Sequence, residues 1–329
     1  MNPPLITVII PVYNAEPYLR CCLSSVCSQT LQEIEIICVD DGSCDESVSI
    51  LREFEKRDVR VRVATQENAG VSAARNNALN SARGEWVAFV DGDDYLEPGY
   101  FQAFADALRE APEADVLQGG MTMVDENGVA LGVRGSSRNE LATGLQRGTY
   151  DSLLSGIWGE SCAKMFRASV IREHQLTFNG ALKVSEDQEF VCRYLMWCKN
   201  VYLVQHAGYC YVQRPGSSIH RFLAGEMAEQ VYRETTLYYV NLISGIPRHF
   251  ARAQKSACAR GLVRLCLKSY TWRESSIAKY RSRAWARATW MLLARLPYIM
   301  WKAGPRMGCS RRELRRFAGQ VLAALRAGI

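Results

Sequence analysis

No C-x-x-C pair occurs among the twelve cysteines of the sequence; they stand singly, as Cys38, Cys44 and Cys162 do, or adjacent, as Cys21 and Cys22 do. That spacing excludes the usual zinc ribbons and disulfide frameworks and fits buried free thiols in a reducing, cytoplasmic setting. Long apolar runs are missing too. The nearest, "WMLLARLPYIMW", is broken by Arg295 and Pro297, so no membrane-spanning helix is expected. The opening "MNPPLITVIIPVYN" has neither a basic n-region nor a long apolar core, and no signal peptide is expected from it. Two phosphate-binding motifs are absent: there is no G-x-x-x-x-G-K-[ST], and no G-x-G-x-x-G follows the first apolar run. A P-loop protein is excluded and a dinucleotide fold disfavoured. No internal repeat and no low-complexity segment occurs.

What is present is a split in charge. The net charge of +6 conceals 19 Lys and Arg against two acids, Glu274 and Glu313, over residues 246–329. The rest of the chain is acidic, so the two parts are expected to have different partners. The acidic part alternates two patterns. "LITVII", "EIEIICVD", "VRVRVA" and "WVAFVD" read as strands, the first closed by Pro11. Between them "EPYLRCCLSSVCSQ", "DESVSILREFEKR" and "VSAARNNALNSAR" read as helices, the last capped by Gly84. Strands alternating with helices imply a parallel sheet, in which ligands bind beyond the carboxyl ends of the strands. Tyr13 and Asn14, Asp40 to Ser43, Asn68 and Gly70, and the acidic cluster Asp91, Gly92, Asp93 and Asp94 should then line one crevice. Further on, "ADVLQGGMTMVDENGVALGV" reads as strands around an Asn127–Gly128 turn, "EDQEFVCRYLMWC" as a helix and "VYLVQHAGYCYVQR" as a strand pair. From about residue 221 the pattern is helical.

In order along the chain, "VIIPVYNAEPYLRCCLSSVCSQT", "EIICVDDGSCDES", "NAGVSAARNNALNSARGEWVAFVDGDDYLEP" and "SEDQEF" resemble the successive motifs of the family-2 glycosyltransferases. Each motif alone is weak; four in order are specific. The resemblance covers roughly residues 5 to 220, and Cys44 departs from it where that family usually has Thr. It implies a GT-A fold, an α/β architecture with a mostly parallel, Rossmann-like central sheet flanked by helices. Here the catalytic domain would be 1–222, with a nucleotide-binding half 1–110 and an acceptor half 111–222. A basic helical C-terminal extension, 223–329, would follow.

The resemblance also implies site roles. Asp91 and Asp93, around Gly92, would hold Mg2+ or Mn2+ against the diphosphate of a nucleotide sugar, a task for hard oxygen ligands. A solvated acidic turn is the plain alternative, and Asp94 either supports the site or caps that turn. Pro11, Val12 and Tyr13 would lie along the base. Asp41 would accept from the uracil ring N–H, although a turn or cap role is open to it. Asn68 and Arg75 would contact the nucleotide, with Arg75 helping to stabilise the departing diphosphate; Arg75 can also be an ordinary solvated helix arginine. Asp187 would be the general base, with Glu186 orienting its neighbours; a helix-start cap is the bland reading. In "YVQRPGSSIHRF", Arg214 and Ser217 or Ser218 can reach phosphate, and His220 either completes the metal shell or is a surface residue. Lys164 falls near the donor sugar, and Trp158 is either a sugar platform or core.

The implied reaction moves one sugar from a nucleotide diphosphate donor, UDP-linked, to a hydroxyl of a glycan or lipid-linked acceptor, with inversion. Two rivals remain in view. A sugar-nucleotide pyrophosphorylase would need a Gly-rich basic loop where "PVYNAEPY" stands. A non-catalytic, membrane-associated sugar-nucleotide-binding protein would not need Asp187. The basic region, with Trp272, Trp285, Trp290 and Trp301 among its arginines, suits either peripheral docking on the anionic inner face of the plasma membrane or packing on the catalytic domain. Nucleic acid is not an expected partner.

Overall fold

The structure, a computed structural model, describes residues 3–135, 140–143, 159–182, 186–198 and 200–214. All of them fall in one compact unit, Met1–Thr143 with Gly159–Arg214. Trp158, Ser217, Ser218 and His220, the 222/223 boundary and the basic region 223–329 lie outside the described residues.

The first half follows the alternating pattern. Strands β1 (Ile6–Val12), β2 (Ile34–Asp40), β3 (Val61–Thr65) and β4 (Trp86–Phe89) pair in parallel in the order β3-β2-β1-β4. Every residue of β1 and β2 is buried, as expected of strands covered on both faces. Helices α1 (Glu16–Cys27), α2 (Ser47–Arg57) and α3 (Val71–Ser81) make the crossovers. On α1 the buried residues Leu19, Cys22, Leu23 and Val26 form one stripe at helical spacing. On α3 the buried face is Ser72, Ala74, Arg75 and Ala78, so small residues admit one large cation beneath them. Cys22, Cys38, Cys162 and Cys198 are buried free thiols.

Two local expectations are corrected. Pro11 does not close the first strand but sits within β1, opposite Val39. Ile9 accepts from Val90 on the β4 side. Pro11, two residues on, therefore turns its donor-less nitrogen to a side where β4 has already ended. Gly84 is not a helix cap. Helix α3 ends at Ser81 on an extended Ala82, and Gly84 passes so close to β1 that an added Cβ would stand 2.5 Å from the Thr7 nitrogen.

Beyond β4 the architecture becomes mixed. After the short β5 (Tyr95–Leu96) and α4 (Tyr100–Glu110), the chain adds β6 (Val116–Gln118), β7 (Met121–Val124), β8 (Ala130–Arg134) and β9 (Glu140–Thr143). Strand β10 (Lys164–Arg167), α5 (Ala168–Glu173), α6 (Glu186–Leu195), β11 (Asn200–Leu203) and β12 (Tyr209–Val212) follow. The large sheet runs β3-β2-β1-β4-β10-β6-β11-β9, with β10 antiparallel between β4 and β6. The small sheet runs β5-β12-β7-β8. The expected turn at Gly128 joins β7 to β8, its φ of +80° supplied by glycine and its loop held by Asp125.

The expected strand pair at 201–214 is two strands of different sheets. Strand β11 pairs with β6 in the large sheet and β12 with β7 in the small one, both in parallel. The two chain segments therefore switch sheets side by side. Gly119 and Gly120 make this crossing possible, since an added Cβ would meet Phe104 or Ala207 at 2.9 Å.

Candidate active site

Parallel pairing puts the ends of β1 to β4 on one edge, and the loops there are stitched together by side chains. The Asn14 N–H donates to Ser43 Oγ (2.9 Å), and Asn14 Oδ1 accepts from the Cys44 N–H (2.8 Å). Asp40 Oδ2 caps the following turn by accepting from Gly42 and Ser43. Asp41 is buried; Oδ1 accepts from Gln66 and the Ala69 N–H, and Oδ2 from the Gly70 N–H at 2.8 Å. It thus shapes the loop that carries Asn68, which is exposed. Tyr13 is 53% exposed beyond the buried Pro11 and Val12.

Side chains hold backbone N–H groups at the starts of the first three helices. On α1, the Ala15 N–H donates to Ser47 Oγ and the Glu16 N–H to Asp45 Oδ2. On α2, the Glu46 N–H donates to Glu16 Oε2 and the Ser47 N–H to Asp45 Oδ1. The Gly70 N–H that opens α3 is held by Asp41.

The acidic cluster is a turn rather than an extended segment, closed by the Asp94 N–H donating to Asp91 O (3.0 Å). It lies on the end of β1, where a Cβ at Gly92 would come within 3.3 Å of Pro11 O. Its carboxylates have separate partners. Asp91 Oδ1 accepts from Arg75 Nη2 at 2.7 Å, and Asp93 Oδ2 from Arg214 Nε at 2.7 Å. Burial, and then the nearby Asp91, push the Asp93 carboxyl up against the pull of Arg214. Asp94 is buried and faces inward, Oδ2 accepting from the Tyr209 hydroxyl (2.7 Å) and Oδ1 from the Val212 N–H (2.8 Å). The Tyr209 hydroxyl also accepts from the Asp91 N–H. Asp94 thus braces the turn against β12, and its burial, reinforced by Asp91 and Asp93, lifts its carboxyl well above the usual range.

Among the described residues, no group of three His, Cys, Asp or Glu is set to hold a metal ion. Asp91 and Asp93 each keep a second carboxylate oxygen outside the arginine pairs, and neither is fully buried. Two hard oxygen donors of this kind fit a divalent cation whose remaining ligands come from a diphosphate.

Glu186 and Asp187 begin α6. Glu186 accepts from Arg75 Nη1 at 3.1 Å, and Asp187 is half-buried beside it. Burial first, and the Glu186 carboxylate second, push Asp187 up to about 7, against the opposing Arg75 charge. A carboxylate in that range suits proton abstraction near neutral pH. Lys164 is buried at the start of β10, its Nζ donating to Glu160 O (2.6 Å), and burial brings it down to about 8. Glu160 pairs with Arg134 at 3.0 Å. Arg214 lies over the Tyr18 ring, 5.2 Å from its centroid, and the Tyr18 hydroxyl meets Glu126. Tyr209 and Glu160 stand outside the four motifs, and Tyr18, though inside the first, has no role assigned by it. Their partners are brought together by the sheet crossing and the β7–β8 turn, which local pattern does not encode.

The model of glycosyl transferase family 2 matches residues 7–173. The putative glycosyltransferase EpsH of Bacillus subtilis is 33% identical over 231 residues, 68% of this chain and 64% of EpsH. The poly(ribitol-phosphate) beta-glucosyltransferase of Bacillus spizizenii is 32% identical over 216 residues, 64% of this chain and 33% of that protein. The chain thus spans less than two thirds of the length of these relatives. Among solved structures, S. aureus TarS 1-349 in complex with UDP-GlcNAc superposes with a TM-score of 0.74 at 23% identity, covering 97% of this chain and 87% of that one. At that identity the likeness is one of fold, and the fold is GT-A.

Proposed function

Because the chain belongs to glycosyl transferase family 2, we propose that it moves a sugar from a UDP-linked donor to an acceptor hydroxyl during assembly of a cell-surface glycan. The observation that carries this is one charge cluster joining two chemistries. Asp91 and Asp93, suited to a diphosphate-bound cation, are linked through Arg75 to the helix start where Asp187 is held near neutral. The UDP-GlcNAc held by TarS and the glucosyl transfer named for the Bacillus spizizenii relative support the donor class.

Asp91 and Asp93 would hold Mg2+ or Mn2+, which when bound supplies positive charge for the departing diphosphate. Tyr13 offers an exposed ring to the base, and Asp41 fixes the loop around it. Arg214, already at Asp93, would turn to the phosphate. Asp187 takes the proton from the acceptor hydroxyl. Attack from the face opposite the leaving group inverts the anomeric centre, so an α-linked donor gives a β-linkage.

A panel of sugar nucleotides scored for UDP release, with Mg2+ or Mn2+ and with chelator, tests this. One donor should turn over, and chelator should stop it. Asp187→Asn should lower turnover about 100-fold or more while metal-dependent UDP binding persists. Normal turnover by that variant would remove Asp187 from the role of base.

A further inference from the structure

On the footing of the transferase activity proposed above, we infer that Arg75 is a positioning residue that ties the donor-side acid Asp91 to the base-bearing helix α6. It does so instead of meeting the diphosphate itself. A phosphate ligand needs a guanidinium edge open to solvent, and Arg75 does not have one: it is 3% exposed on the face of α3 that packs against the sheet. Its Nη2 donates to Asp91 Oδ1 at 2.7 Å and its Nη1 to Glu186 Oε1 at 3.1 Å, so each end of the fork serves a carboxylate. Nε is buried without a hydrogen-bond partner, so Asp91 and Glu186 are the carboxylates bonded to the fork, with the Asp187 charge nearby.

The flat face is occupied as well. The Phe178 ring centroid lies 5.1 Å from the guanidinium carbon. Phe178 is fixed from α3 itself, by Asn76, whose Nδ2 donates to Phe178 O and whose Oδ1 accepts from the Phe178 N–H. Phe178 also stacks on Phe190 of α6, with centroids 4.2 Å apart and planes 3° from parallel. Helix α3 therefore grips α6 twice, through Arg75 to Glu186 and through Phe178 to Phe190, and the first grip also holds Asp91. Burial works against the Arg75 charge, but Asp91, Glu186 and Asp187 outweigh it and keep the group protonated. Without Arg75, three carboxylates are left facing one another, and the start of α6 has no reason to stay beside the acidic turn.

The test uses the full chain as wild type, Arg75→Gln, Arg75→Lys, Glu186→Gln and the Gln/Gln double variant. UDP affinity is measured by calorimetry with Mn2+, turnover with the donor found in the panel, and thermal unfolding throughout. For Arg75→Gln we expect turnover to fall about 100-fold, the scale of a misplaced catalytic group, with UDP affinity changed about threefold at most, because the Tyr209 hydroxyl still anchors the turn that carries Asp91 and Asp93. The acid limb of the turnover–pH profile should move to higher pH, because the guanidinium no longer favours ionised Asp187. The effect of Arg75→Gln should shrink in the Glu186→Gln background, since the two side chains act as a unit. Arg75→Lys keeps the charge but cannot fork to both acids, so it should lose turnover and keep UDP affinity; it serves if Arg75→Gln does not fold. Loss of UDP affinity in step with turnover, or fully multiplicative effects of the two single variants, overturns the inference. Wild type that binds no UDP would sink the transferase activity instead. The Arg75–Glu186 tie would then still be judged by non-additive shifts in unfolding temperature.

Discussion

Asp187 gives the sharpest consequence at the scale of one residue. With its carboxyl pushed up to about 7 by burial and by Glu186, it is protonated and unable to accept a proton below that pH. Turnover per encounter, kcat/KM, should fall about tenfold for each pH unit below 7 and level off above it. A profile flat down to pH 5 would show that another group takes the proton. Tyr209 is the second test at this scale. Its hydroxyl is the shared partner of Asp94 Oδ2 and the Asp91 N–H. Tyr209→Phe leaves both without it in a buried position and should cost about 1–3 kcal/mol in chemical denaturation. The same change should weaken metal-dependent UDP binding, because the turn carrying Asp91 and Asp93 loses its brace. Asp93→Asn, in contrast, should weaken UDP binding with little loss of stability.

At the scale of elements, the far edge of the sheet holds a polar knot that the sequence did not advertise. Buried Glu35 on β2 accepts from Thr7 Oγ1 on β1 (2.6 Å), from the Arg83 N–H and Nε, and from Arg62 Nη1 on β3. Burial opposes its charge, but the Thr7 and Arg83 bonds outweigh it and hold the carboxyl below its ordinary value. The stability it contributes is thus present above the unfolded-state value and lost as pH falls through the lower folded one. Glu35→Ala should destabilise by about 1–2 kcal/mol at pH 7, chiefly through the Thr7 and Arg83 backbone bonds left unmade, and by progressively less as pH falls, measured by urea unfolding across an acid pH series. The elements legible in sequence are those whose pattern is local. The strands and helices of residues 6–81 have short apolar or alternating runs or a 3.6 stripe. Strand β10 has four residues and β5 two, and each owes its existence to partners far along the chain. Helix α4, with Tyr100, Phe101 and Phe104 buried, follows three residues after that two-residue strand, and its apolar stripe merges in sequence with the strand's own residues.

For the molecule as a whole, the candidate site was legible by residue type and not by connection. The motifs located Asp91, Asp93, Glu186 and Asp187, yet nothing local signalled that Arg75 would join two of them across 111 positions. Nor could spacing tell Asp94, turned inward to β12, from its neighbours. The charge split adds a prediction at this scale. With 19 basic residues and two acids over 246–329, the full chain should float with vesicles containing anionic lipid and release in high salt. Recovery with neutral vesicles alone would point to apolar contact instead. The reciprocal capping of α1 and α2 has a consequence for transplantation between relatives. Residues 14–16 and 43–47 close one another's hydrogen bonds, so they form a single unit of exchange. A chimera that takes the first segment from one parent and the second from another inherits half a lock, and should fold poorly even where every strand is matched.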